Sequence, residues 1–189
     1  MLREQRLGRV GELGAVDVFD ATRAPRPTDL KAGTWVLIDQ EGQVESLAAP
    51  NSALCESLQL ATAHQLDPTF PIAVQREAAA WAESPGIDDP SLTDHTHLPF
   101  VTIDEESSKD LDQAVFVEKT DAGFTVWYAI ADAAHFVRPG MALWDEAVHR
   151  GATAYLPGLI VPMLPTVLSE GVISLNEGVD QRAVLFELR

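Results

Sequence analysis

The stretch L-P-F-V-T-I-D-E-E-S-S-K-D-L-D-Q-A-V, residues 98–115, decides how the second half of this chain is read. An apolar run ends at Asp104, a short connection from Glu105 to Lys109 follows, and Asp110 and Asp112 then precede a second apolar run. The pattern predicts one strand closed by Asp104 and another opened by Asp110 and Asp112. Residues two apart in an extended chain share a face, so the three aspartates would converge. Each pair of carboxylates ~5 Å apart repels by roughly 3 kcal/mol at an effective dielectric of about 20. Such a cluster persists by taking up a proton or a divalent cation. Mg²⁺ suits it, because this hard ion takes a few carboxylates and completes its shell with water and phosphate oxygens. Bound at a phosphodiester, it activates water and offsets negative charge. A solvated acidic turn between two strands fits the spacing equally well. A calcium loop fits less well, since Lys109 and Val115 stand where a glycine and a closing glutamate are needed.

Downstream, strands are expected at 100–103, 114–118 and 123–131, the last mostly apolar and buried on both faces. Residues 142–150 read as a helix with Leu143, Trp144, Ala147 and Val148 on its apolar stripe. His149 and Arg150 fall in its last turn, where positive charge is favoured, and Gly151 suits the position just past the end. A terminal strand at 183–188 suggests an incomplete sheet.

Upstream, S-P-G-I-D-D-P-S-L-T-D-H-T-H, residues 84–97, has no apolar period and reads as a linker. A weaker break falls at 23–29. Before the linker, residues 9–20 and 34–47 read as short strands, the second a hairpin turning at 39–42. Helices are expected at 52–65, with Leu54, Cys55, Leu58 and Ala61 on one side, and at 71–83, begun by a proline. The chain is therefore α+β. A small N-terminal α+β module (1–83) and a linker (84–97) lead to a mixed α/β region (98–189).

Composition narrows the possibilities. The 189 residues carry a net charge of −16, spread evenly, with 15 acidic and 7 basic side chains up to residue 97 and 14 and 6 beyond it. A chain that grips nucleic acid by its phosphates usually offers a basic face, so such a role here needs local cations or a metal. No apolar run reaches the ~18–20 residues that span a bilayer, and the charged start lacks the apolar core of a secretory signal. A cytoplasmic protein is expected. The single cysteine, Cys55, excludes an internal disulfide and reads as buried filler.

Beyond K-D-L-D-Q-A-V come Y-A-I-A-D-A-A-H-F-V-R-P-G (128–140), A-Y-L-P-G-L-I-V-P-M-L-P (154–165) and L-S-E-G-V-I-S-L-N-E-G-V-D-Q-R-A-V-L-F-E-L (168–188). In this order and spacing they resemble the RNB catalytic domain of the ribonuclease II/ribonuclease R family, over roughly residues 97–189. The resemblance implies a mixed α/β RNB domain that uses Mg²⁺ to degrade single-stranded RNA from its 3′ end, releasing nucleoside monophosphates. The family's metal site is D-x5-D-x-D-D. Asp104, Asp110 and Asp112 match its first three positions, Asp112 being the one most tied to catalysis, with Asp110 beside it. Gln113 occupies the fourth, where its carbonyl oxygen could ligate the metal without adding charge. Tyr155 matches the family tyrosine that contacts RNA near its 3′ end. The resemblance further implies that this chain corresponds to the front third of such a domain. The arginine and later glutamate that complete the family's site lie further downstream. The first 90 residues lack an aromatic RNA-binding strand signature, leaving an accessory module of uncertain type.

His135 reads as structural, because this chemistry needs no histidine. Trp127 and Tyr128 read as core, Lys109 as solvated, and Pro157, Pro162 and Pro165 as shaping a rigid loop that presents Tyr155. The rival to an exoribonuclease is a non-catalytic RNA-binding or regulatory protein that keeps the fold, to which Gln113 and the acidity both point.

Overall fold

A computed structural model of the chain describes residues 5–11, 16–18, 23–24, 30–39 and 41–189. It divides into two units. The first holds the described residues up to Arg76 together with Glu146–Met163; the second holds Glu77–Asp145 and Leu164–Arg189.

In the first unit, β1 (Arg6–Val10), β2 (Val16–Val18), β3 (Arg23–Ala24), β4 (Trp35–Ile38) and β5 (Val44–Ala48) form an antiparallel sheet in the order β3-β2-β1-β4-β5. The stretch expected as one strand at 9–20 is thus divided between β1 and β2, and its residues 12–15 and 19–20 lie outside the described ones. The weak break at 23–29 begins with β3, and 25–29 are likewise outside. The 34–47 hairpin forms as expected. Asp39 closes its turn, accepting from the backbone N–H groups of Gly42 through its carbonyl and Gln43 through its carboxylate.

Alternation along these strands fills both faces of the sheet. Leu7, Trp35 and Ala48 pack on one side with Cys55 and Leu58 of α1 (Ala53–Ala63); Val10, Val16, Val36 and Ile38 pack on the other. The Ser52 hydroxyl caps α1 by accepting from the N–H of Cys55 at 3.1 Å, satisfying one of the orphan donors of the first turn. Helix α2 (Ile72–Glu83) begins directly after Pro71. Both helices match the expected spans to within two residues.

In the second unit, β6 (Gln113–Thr120), β7 (Gly123–Ala131) and β10 (Ala183–Leu188) form a three-stranded antiparallel sheet with β7 central. Only its Ala114–Thr125–Ala129 side is well buried; Phe124 is 61% exposed on the other, so β7 is not covered on both faces as its apolar run suggests. An antiparallel sheet with one covered face accounts for this. Helix α3 (Ala133–Phe136) places Phe136 fully buried against the edge of the Trp81 ring. The next helix, α4 (Ala142–Arg150), starts on the Glu77 carboxylate, which accepts from the N–H groups of Ala142 and Leu143 at 3.1 and 2.9 Å. A carboxylate there also complements the helix dipole.

Residues 84–97 form successive turns. Asp89 and Asp94 each accept from a hydroxyl and an N–H two residues on, Ser91 and Thr96, which hold both carboxyls below the usual aspartate range. The segment is tied down by Arg182, a buried arginine that donates to the Gly86 carbonyl at 2.7 Å and pairs with Asp132 and Asp89.

Candidate active site

The first strand expected at the site is reduced to one residue. Val101 exchanges two 2.9 Å backbone hydrogen bonds with Val115, and Ile103 and Asp104 run past it outside any strand. Asp110 and Asp112 also precede the strand: β6 begins at Gln113. The cause is a competing partner. The Ser174 hydroxyl accepts from the N–H of Leu111 at 2.9 Å and donates to the carbonyl of Lys109 at 2.7 Å, while Leu175 N–H donates to the Leu111 carbonyl at 2.8 Å. The polar groups of 109–111 are thus satisfied by a loop, not by a ladder, and aspartate favours neither strand nor sheet. Asp112 is held from the other side, its carbonyl accepting from Ala131 N–H at 2.9 Å.

These constraints bring Asp104, Asp112, Gln113 and Tyr128 around an open hollow of about 190 Å³, walled by Val101 and Ile103. Asp110 does not line it. Among the described residues no three His, Cys, Asp or Glu side chains are grouped tightly enough to hold a metal ion. The structure therefore gathers two of the three aspartates, where the spacing suggested three.

Tyr128, expected in the core, is only half-buried. Register pairs Val115 with Tyr128 and Gln113 with Ile130, which sets Tyr128 diagonal to Gln113 on one sheet face. Its hydroxyl donates to Gln113 Oε1. Trp127 lies on the opposite face, its ring 5.4 Å from that of His95. The signal for Tyr128 was available: a two-residue turn at 121–122 fixes the register, and register fixes the face. Ser174 and Arg182 carry no comparable signal in the sequence.

His135, expected to be structural, has its ring centroid 5.0 Å from those of Trp81 and Phe136. Its Nδ1 receives the Arg138 guanidinium at 3.0 Å, and since arginine only donates, the ring proton sits on Nε2, which has no partner among the described residues. Gly86, at φ +70°, passes so close that a Cβ there would lie 2.9 Å from Nε2. Burial is the main cause that pushes the imidazole below its ordinary pKa, helped by Arg182 and Arg138 against Asp132 and Asp89.

Tyr155 belongs to the first unit and is described there alone. It sits mid-strand in β8 (Ala154–Leu156), paired with β9 (Leu159–Val161) through a tight turn at Pro157 and Gly158, rather than on a loop. Gly158 takes the φ of +69° that this turn requires. The hairpin is fastened to α1, where Ser57 donates to the Pro157 carbonyl at 2.6 Å and Leu159 joins the core. Tyr155 stands 68% exposed beside Ile160. Arg150, unremarked in the sequence beyond its place at a helix end, ties several segments of the unit together. It pairs with Glu146, donates to the carbonyls of Asp67, Thr69 and Pro162, and lies over the Phe70 ring.

Residues 92–189 match the RNB domain family, and the chain belongs to it. Among curated proteins it is 41% identical over 150 residues to ribonuclease R of Vibrio parahaemolyticus, an alignment covering 78% of this chain and 18% of that protein. To ribonuclease R of Escherichia coli it is 40% identical over 127 residues, covering 66% and 16%. The chain thus spans less than a fifth of the length of these relatives. Among solved structures it is similar to Mycoplasma genitalium RNase R in complex with double-stranded RNA, with a TM-score of 0.71 at 26% identity, covering 98% of this chain and 37% of that one. The same protein in complex with ribose methylated single-stranded RNA gives 0.70 at 24% identity, covering 98% and 33%. The α+β fold agrees with these neighbours. No helix among the described residues is long and apolar enough to cross a membrane.

Proposed function

We propose that this chain carries the front part of a Mg²⁺-dependent exoribonuclease that shortens single-stranded RNA from its 3′ end and releases nucleoside 5′-monophosphates in the cytoplasm. The observation that carries the reading is the hollow at the start of β6, where Asp104, Asp112 and Gln113 meet in a chain of the RNB family. Its donors suit the metal. They are hard oxygens with no thiolate or imidazole among them, and Mg²⁺ commonly takes only one or two carboxylates before filling its shell with water and substrate phosphate. Asp104 and Asp112 would hold the ion, Asp112 being the catalytic carboxylate; of the other two positions in the family pattern, Asp110 stands beside Asp112 outside the hollow and Gln113 lines it without adding charge. When bound, it would neutralise charge on the scissile phosphate and acidify a water.

Tyr155 would stack on a base near the 3′ end. Stacking tolerates any base, which suits a sequence-indifferent nuclease. Residues 1–83 would be an accessory nucleic-acid-binding module, 84–97 its connection, and 98–189 the partial catalytic domain.

The test is Asp112→Asn in the intact protein, assayed on 5′-labelled single-stranded RNA with Mg²⁺. Turnover should fall on the order of 10³-fold, about 4 kcal/mol of barrier, while RNA binding persists. Unchanged shortening would refute the assignment. The second reading, a non-catalytic RNA binder, is favoured by the engagement of the Gln113 carbonyl with Tyr128. It predicts that the wild-type protein binds RNA with Mg²⁺ present and releases no monophosphate.

A further inference from the structure

Gln113 stands where the family pattern expects an aspartate, and what its amide can offer is set by Tyr128. A carboxamide has one acceptor atom and two N–H donors. The Tyr128 hydroxyl donates to that acceptor, Oε1, from the diagonal position on β7. A cation approaching Oε1 would meet the partial positive charge of the phenolic proton. Oε1 keeps one further lone pair beside that proton, and both donors on Nε2 are left to offer to the hollow that the amide lines. Asp104 and Asp112 supply negative charge to the same hollow, so a phosphate oxygen entering it gains from any donor nearby.

We infer that Tyr128 is a positioning residue: it holds Gln113 by the carbonyl so that the amide N–H group is presented to a phosphate oxygen of the RNA, making the fourth position a neutral phosphate donor rather than a metal ligand. This rests on the hollow being the RNA-hydrolysing site. It changes what each variant should do. Loss of a ligand would weaken the metal; loss of a phosphate donor weakens RNA and leaves the metal alone.

The experiment is a double-mutant cycle in the intact protein with two readouts other than turnover. RNA affinity is measured by fluorescence anisotropy in EDTA, and metal affinity by Mn²⁺ binding without RNA. Gln113→Ala should weaken RNA binding about fivefold, the size of one hydrogen bond. Tyr128→Phe should weaken it comparably, and the double variant should be no worse than Gln113→Ala, since both remove the same contact. Mn²⁺ affinity should stay within about twofold throughout. Gln113→Glu, which keeps the length and removes the donor, should also lose RNA affinity. Additive losses would show that Tyr128 does not act through Gln113, and a marked loss of Mn²⁺ affinity in Gln113→Ala would show that Gln113 is a ligand; either overturns the inference. Wild-type protein that sheds no monophosphate with Mg²⁺ would instead defeat the nuclease reading itself. Thermal midpoints matching wild type keep a folding defect from imitating the expected result, and Gln113→Ala, on an exposed side chain, supplies the test if Tyr128→Phe unfolds.

Discussion

The five-stranded and three-stranded sheets of this chain use the same alternation and reach opposite outcomes. In the first unit, Leu7 and Val10 of one strand point to opposite faces and both are fully buried. In the second, the strands present Val117, Phe124, Val126, Val184, Phe186 and Leu188 on one face, and most of them are exposed. Periodicity places a side chain on a face; it does not supply what covers that face. The hollow with Asp104, Asp112 and Tyr128 lies at the rim of this open apolar side, in contrast to the closed core of the first unit.

That contrast can be broken by mutation. Leu58→Ala, in the closed core, should cost about 2–5 kcal/mol of unfolding free energy, because it removes buried methyl groups and leaves a cavity. A urea denaturation midpoint unchanged by Leu58→Ala would mean that the first unit does not depend on this cluster. His135 should give a smaller, pH-dependent effect. Its folded pKa lies below the unfolded value of about 6.5, so the unfolded state binds the proton more readily. The stabilisation is full above about pH 6.5 and is lost as pH falls towards the folded pKa, by up to about 1.4 kcal/mol per pH unit. The difference in stability between wild type and His135→Gln should therefore shrink between pH 7 and pH 5; a constant difference would mean that the ring titrates normally. Phe186→Ser, on the open face, should change the stability of the 189-residue chain by less than about 0.5 kcal/mol and improve its solubility. A loss comparable to Leu58→Ala would show that the face is covered after all.

Much of the fold was legible because local signals agreed with tertiary packing. Ser52 before an apolar helix, Pro71 at a helix start, the 39–42 turn and the Gly151 stop all lie within a few residues, and each forms as read. The failures are long-range. Nothing near Leu111 in the sequence announces that Ser174 will take its N–H, and that bond keeps Asp110 and Asp112 out of the strand. Nothing near Gly86 announces Arg182. The apolar run of β7 looked buried on both faces because composition cannot report the absence of a covering layer. Of the three aspartates that the spacing suggested would converge, Asp104 and Asp112 line the hollow and Asp110 does not, while Tyr128 joins them through a register that the 121–122 turn fixes.

The central claim is that the hollow beside β6 holds a divalent cation through Asp104 and Asp112. Direct titration of Mn²⁺ into the intact protein, followed by its electron paramagnetic resonance signal, tests it without any substrate. The account predicts saturable binding by the wild type and a loss of at least about tenfold in affinity for Asp104→Asn and Asp112→Asn, with the fold retained. Equal Mn²⁺ binding by both variants and the wild type would contradict it.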